Sequence, residues 1–142
     1  MVDAAFAPFA DLLPDQTEES TPYWEGLAVG ELRLQYCKDC DSYHHPPESF
    51  CYSCGSTDIE WRTRDGGGEV YSFIVVHQPY HVAFRDRLPY VVATVQLDDG
   101  PRMLGAIFDI EPQSVAIGMR VKPRIEAVNE DGAAALFFQP DA

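Results

Sequence analysis

Four cysteines stand in two pairs of identical spacing, Cys37-Lys38-Asp39-Cys40 and Cys51-Tyr52-Ser53-Cys54, separated by ten residues, and the chain has no other cysteine. A C-x-x-C turn aims two thiolates at one point. Two such turns on facing hairpin loops supply the four sulfurs of a tetrahedral zinc site. The linker is shorter than the roughly 15–20 residues usual for such ribbons, but Pro46-Pro47 can reverse the chain within it. Gly55, directly after Cys54, permits the tight backbone of a knuckle whose amides point at sulfur. Asp41 holds the equivalent place after Cys40, a weaker form of the same turn. With Cys37, Cys40, Cys51 and Cys54 all as ligands no position is left for water, so the expected zinc is structural.

Other uses of the thiols explain less. Two disulfides would need an oxidising compartment. The first fourteen residues lack a basic n-region and are broken by Pro8 and Pro14, so a cytoplasmic protein is expected. A redox C-x-x-C would leave the second pair without a role. Iron, alone or in a cluster, also suits four thiolates, and spacing does not separate it from zinc. His44 and His45 lie between the pairs, and with four thiolates available they are expected in the turn or at the surface.

A chain of 142 residues forms one domain, or a small domain with a stapled appendage, and a ribbon alone cannot supply its core. Residues 1–30 read as an acidic, proline-broken segment, expected to be mobile or to wrap a neighbour, followed by a short helix. That helix has Thr21 as N-cap and Pro22 at its first position, carries Tyr23, Trp24 and Leu27, and stops at Gly30. Residues 31–64 form the zinc ribbon. Its first strand alternates Leu32, Leu34 and Tyr36 on one side with Arg33 and Gln35 on the other, and Ile59 and Trp61 lead out of it. Gly66-Gly67-Gly68 marks the boundary to a barrel over 65–142. A β-rich run follows the glycines rather than a helix start, which argues for a bulge or coil and against a phosphate loop. Strands over 90–97 and 102–108 flank Asp98-Asp99-Gly100-Pro101, and strands over 119–128 and 133–138 flank Asn129-Glu130-Asp131-Gly132. Five strands with an irregular link over 109–118 suit the OB-fold barrel. The fold class is mainly β: a short N-terminal helix, a zinc ribbon and a five-stranded OB-fold barrel.

Charge and composition exclude several functions. With 23 acidic against 10 basic residues and a net charge of −13, the chain repels polyanions, so the nucleic-acid-binding use of OB folds is disfavoured. Tyr71, Phe73, Phe137 and Phe138 are expected in the core rather than as stacking platforms. No apolar run is long enough to span a membrane as a helix. No cysteine remains as a nucleophile, the His77/His81/Asp86 grouping reads as surface, and Ser72 and Ser114 lack any nucleophile-elbow context. The expectation is a subunit that is not catalytic alone. The connection over 77–88 is longer than an ordinary hairpin loop and mixes His77, Tyr80, His81 and Phe84 with Arg85 and Arg87. Aromatic anchors beside arginines suit contacts with a partner or a phosphate. Tyr23 and Trp24 are further candidates for a partner contact.

The ordered set of segments "ELRLQYCKDC", "HHPPESFCYSCGS", "GGGEVYSFIVVH", "LPYVVATVQLDDGPRMLG" and "IGMRVKP" resembles the acyl-CoA-associated OB-fold proteins with a rubredoxin-like zinc ribbon. The resemblance runs over residues 21–140. It implies an accessory subunit of a thiolase-fold enzyme. The favoured partner is a lipid-transfer-protein-type aldolase that cleaves a steroid or similar side-chain CoA thioester by retro-aldol chemistry. A Claisen-type acetoacetyl-CoA thiolase or acyltransferase is the alternative within the family. The expected assembly is a heterotetramer with two copies of each chain and acyl-CoA at the interface. The sequence departs from the family pattern at Asp41, where glycine is usual, and in the long polar loop over 77–88.

Overall fold

The computed structural model describes residues 2–141. Helix α1 (Thr21–Ala28) begins one residue earlier than expected, with Ser20 as its N-cap residue and Pro22 in the first turn, where a missing N–H is harmless. Gly30, at φ 80°, ends the run in the left-handed region. The helix packs against strand β1 (Leu32–Cys37), which is the centre of a three-stranded antiparallel sheet. Strand β2 (Ser42–His44) lies on one side of β1 and β3 (Ile59–Arg64) on the other.

The remaining strands are β4 (Gly68–Val76), β5 (Tyr90–Leu97), β6 (Arg102–Ile107), β7 (Arg120–Ala127) and β8 (Ala134–Pro140), and they close into a barrel in the order β4-β5-β6-β8-β7. Both expected hairpins are present, β5–β6 and β7–β8. Closure needs two close approaches. Gly68 faces the Gln96 carbonyl so tightly that an added Cβ would lie 2.3 Å from it. Gly105 leaves the space that the Phe138 ring fills. The barrel interior holds Val70, Val91, Ala93, Val95, Val121 and Phe138, each at most 1 % exposed, and Tyr23, Leu27, Leu32 and Leu34 extend the same core towards the ribbon.

Several sequence expectations are corrected. The segment before α1 is not free: a 3-10 turn over Ala7–Leu12 folds it onto the outside of the barrel. Phe6 and Phe9 are buried there with Val76, Tyr90, Phe108 and Phe137. Its prolines break a helix, not its burial. The alternation on β1 also fails at its end, because Gln35 is buried and Tyr36 only half-buried. Gln35 spends both amide atoms on the Glu48 backbone, donating to its carbonyl at 2.8 Å and accepting from its N–H at 2.9 Å. Tyr71 is half exposed, not core, because a register shift between Val70 and Ser72 makes it the extra residue of a bulge. Phe73 is half-buried, while Phe137 and Phe138 are buried as expected. His44, expected in a turn or at the surface, is buried on β2.

Candidate metal centre

The β1–β2 turn presents Cys37 and Cys40, and the loop before β3 presents Cys51 and Cys54. Asp41 (φ 55°) and Gly55 (φ 77°) take the left-handed conformation that each knuckle needs. Their amides close the two turns onto the carbonyls of Cys37 and Cys51, each at 2.9 Å. Asp41 adopts the geometry that glycine adopts freely, and its carboxylate accepts from the Tyr36 hydroxyl at 2.6 Å. Cross-links knit the knuckles together: Lys38 N–H donates to the Asp58 carbonyl at 3.0 Å, and the Ser56 hydroxyl donates to the Asp39 carboxylate.

All four Sγ atoms lie within 4.8 Å of one another. Cys37 to Cys54 and Cys40 to Cys51 are each 3.6 Å apart. A tetrahedron with metal–sulfur bonds of about 2.3 Å has edges of about 3.8 Å. The spacing therefore fits one ion and is far too long for a disulfide bond. Cys37 and Cys51 are buried, whereas Cys40 and Cys54 reach the surface.

Protonation follows the same geometry. Backbone amides of Cys54 and Ser53 pull the Cys51 thiol down to about 6. A backbone hydrogen bond from Ser56 favours the Cys54 thiolate, yet Cys37, burial and the other sulfurs push that thiol up to about 12. Four sulfurs this close lose their protons together only around a cation. The residues therefore fit a structural zinc, which would supply folding energy to the ribbon and no open coordination site.

Beside the centre, His44 stacks near Tyr52 with ring centroids 4.8 Å apart, and neither of its ring nitrogens has a partner among the described residues. His45 packs near Tyr23, and burial, reinforced by His44, lowers it to about 4. Neither histidine belongs to the thiolate group.

The candidate contact residues separate into two kinds. Tyr23 is 8 % exposed, and burial raises its hydroxyl to about 12, so it is core rather than contact surface; Trp24 beside it is half-buried. In the connection over 77–88, a 3-10 turn (Val82–Arg87) is capped by His81, whose Nδ1 accepts from Ala83 N–H at 3.0 Å. Phe84 stacks on Tyr90 at 4.8 Å and meets Phe9 edge-on at 5.1 Å. Arg87 turns inward over Phe108 and Phe6. His77, Tyr80 and Arg85 are exposed, and Arg85 has no ion pair among the described residues.

A cleft of about 740 Å³ runs between this turn and the N-terminal segment, with Arg87 and Arg124 facing Asp3, Asp86, Asp109 and Glu111. Acids outnumber bases in its walls, so it does not suit a phosphate. Phe6 and Arg124, which line it, carried no sequence signal for this place, since no periodicity links them. Among the described residues no helix is long and apolar enough to cross a membrane.

Two family models match in tandem: "ChsH2, rubredoxin-like zinc ribbon domain" over residues 24–60, and "ChsH2, C-terminal OB-fold domain" over 61–126. A DUF35 domain-containing scaffold protein of Methanocaldococcus jannaschii is 37% identical over 100 residues, covering 68% of each chain. The 3-oxo-4,17-pregnadiene-20-carboxyl-CoA hydratase alpha subunit of Mycobacterium tuberculosis is 37% identical over 81% of this chain and 36% of its own length. A probable enoyl-CoA hydratase alpha subunit of Thermomonospora curvata is 38% identical over 76% of this chain and 33% of its own. The chain thus spans about a third of the length of these two hydratase subunits. Among solved structures, a chain of the "Ltp2-ChsH2(DUF35) aldolase" superposes with a TM-score of 0.79 at 34% identity, covering 90% of this chain and 98% of that one.

Proposed function

Since the chain belongs to the DUF35 family of ChsH2-like proteins, which join a rubredoxin-like zinc ribbon to an OB fold, we propose that it is the accessory subunit of a thiolase-fold enzyme acting on acyl-CoA. The favoured partner is a lipid-transfer-protein-type aldolase, which cleaves a β-hydroxyacyl-CoA side chain by retro-aldol chemistry, with a steroid or similar acyl group. The observation that carries this reading is the match, along 98% of its length, to a chain of the Ltp2–ChsH2 aldolase.

The residues support a binding role without catalysis. The four thiols are committed to a metal with no open position. His44 and His45 pack against the rings of Tyr52 and Tyr23. In this reading the partner supplies the catalytic groups, zinc fixes the ribbon, and the ribbon and barrel form the docking body. Tyr80 and Arg85, exposed on the turn over 77–88, reach the partner or the CoA entrance. The assembly holds two copies of each chain about the two-fold axis of the enzyme.

The test is reconstitution. Mixing the purified chain with a lipid-transfer-type thiolase-fold enzyme should give one larger species by light scattering and raise retro-aldol turnover. An enzyme that is soluble and fully active alone, and forms no larger species on mixing, would overturn the proposal.

A further inference from the structure

The outer face of a small barrel ordinarily carries polar side chains, because alternate residues point into the core. Here it does not. In β5, Val91, Ala93 and Val95 point inward and are fully buried, so Val92 and Thr94 point outward. Register then places Ser72, Thr94 and Leu104 in one outward row, and Ile74, Val92 and Ala106 in the next. The row beyond, built on Val76 and Tyr90, is roofed by Phe84 and the N-terminal segment. The roof reaches only part of the next row, where Val92 and Ala106 pack against it. Ile74 stays 63% exposed and Leu104 72% exposed, on rows continuous with the covered one.

At the far end of this face the bulge turns Tyr71 outward, and the Arg102 guanidinium lies 3.7 Å from its ring centroid. Arg102 Nε donates to the Gln96 side-chain oxygen at 2.9 Å, and the arginine has no carboxylate partner among the described residues. These two rows contain no acid, in a chain with 23 acidic residues and a net charge of −13, and Glu69 enters only in the next row, with Gln96 and Arg102. A held aromatic–arginine pair beside two bare aliphatic side chains is the composition of an interface centre.

Charge decides the occupant. A second copy would bring −13 against −13 and set the same aliphatic rows against each other. We infer that the outer face of β4-β5-β6, centred on Ile74 and Leu104 with Arg102 at its edge, is the surface that docks the enzyme. The complementary site on the enzyme is an apolar depression bordered by a carboxylate that pairs with Arg102. This inference rests on the function proposed above and adds to it the face through which the chain acts.

The experiment titrates a purified lipid-transfer-type thiolase-fold enzyme against the wild-type chain, the double variant Ile74→Glu/Leu104→Glu, and Arg102→Glu. Zinc content and far-ultraviolet dichroism are checked for each. The double variant should bind at least ~100-fold more weakly and Arg102→Glu about 10-fold more weakly, as expected for residues at an interface centre and its edge. Hydrogen exchange of the wild-type chain should slow in β4 and β6 on binding, a readout that needs no variant. Wild-type binding with unaltered affinity in both variants and no added protection in β4 and β6 would overturn this surface while leaving the accessory function intact. A wild-type chain that binds no such enzyme would remove the function, and this surface with it.

Discussion

The guanidinium carbon of Arg87 lies 4.8 Å from the ring centroid of Phe6, and the same group donates to the neighbouring Ala5 carbonyl at 2.6 Å. Arg124 approaches the same ring at 4.9 Å. Neither the N-terminal segment nor the turn over 77–88 belongs to a strand ladder, so these contacts tie each to the other while side-chain packing ties both to the barrel. Burial pulls the Arg87 pKa down, and the nearby Asp109 and Asp3 carboxylates, opposed by Arg124, do not offset it.

Removing an aromatic ring from this junction should loosen both segments together. Phe6→Ala or Phe9→Ala is expected to cost about 3–5 kcal/mol, as for other fully buried phenylalanines. Denaturant unfolding measures the loss. Limited proteolysis should then cut near residues 2–13 and 77–88 before it cuts the barrel.

The metal centre should hold about one ion per chain. Cys40→Ser is expected to lower zinc content and to free the ribbon, while the barrel keeps its β-sheet dichroism, because none of its strands contributes a ligand. Elemental analysis and dichroism on the same sample separate the two effects. Protein purified with neither zinc nor iron would remove the site.

Stability should fall as the medium is acidified from about pH 6.5 to about pH 4. His45 is held neutral by burial, with a folded pKa of about 4, so in this window the unfolded chain binds a proton that the folded chain refuses. His44 is shifted downward by burial in the same sense. The slope is about 1.4 kcal/mol per pH unit for each such histidine. His45→Phe should flatten the stability profile between pH 6.5 and 4 relative to wild type, as measured by denaturant titration. An identical slope in the variant would refute the assignment.

What the sequence disclosed was local chemistry. The cysteine spacing identified the centre, and the two Gly-containing acidic turns marked the hairpins that build most of the barrel. The readings that failed depended on surfaces formed elsewhere in the chain. Phe6 and Phe9 have no periodicity that signals burial, and only the finished outer face of the barrel gives them a place to pack. Gln35 reads as an exposed polar residue until the Glu48 backbone folds back to accept one hydrogen bond from its amide and donate another to it. Tyr71 reads as core because the bulge that reverses its direction leaves no mark in the alternation.

Two glycines should tolerate alanine very differently. At Gly105 the new methyl would meet the Phe138 ring at 2.5 Å, which side-chain tilting partly relieves, for a cost of about 1–3 kcal/mol. At Gly68 it would meet the Gln96 carbonyl and the Leu97 backbone, which do not tilt away. Gly68→Ala should therefore destabilise more than Gly105→Ala in the same urea titration.

Arg85→Ala should weaken association with the enzyme or raise the apparent KM of the complex, with zinc content and unfolding midpoint unchanged. Arg87→Ala is expected to lower the unfolding midpoint, since that arginine is bound inside its own chain. Isothermal titration and thermal melts on both variants distinguish contact from support.

The barrel's ring of strands is closed between β6 and β8 by one parallel pairing, Ile107 with Phe138, while β7 and β8 pair along seven positions. That seam is sealed by an aromatic ring filling a glycine's vacancy rather than by a ladder of backbone bonds. The β5–β6 and β7–β8 hairpins therefore meet over one ladder pair and one packed ring, so the closure of the cylinder at this seam rests on how Phe138 fits against Gly105.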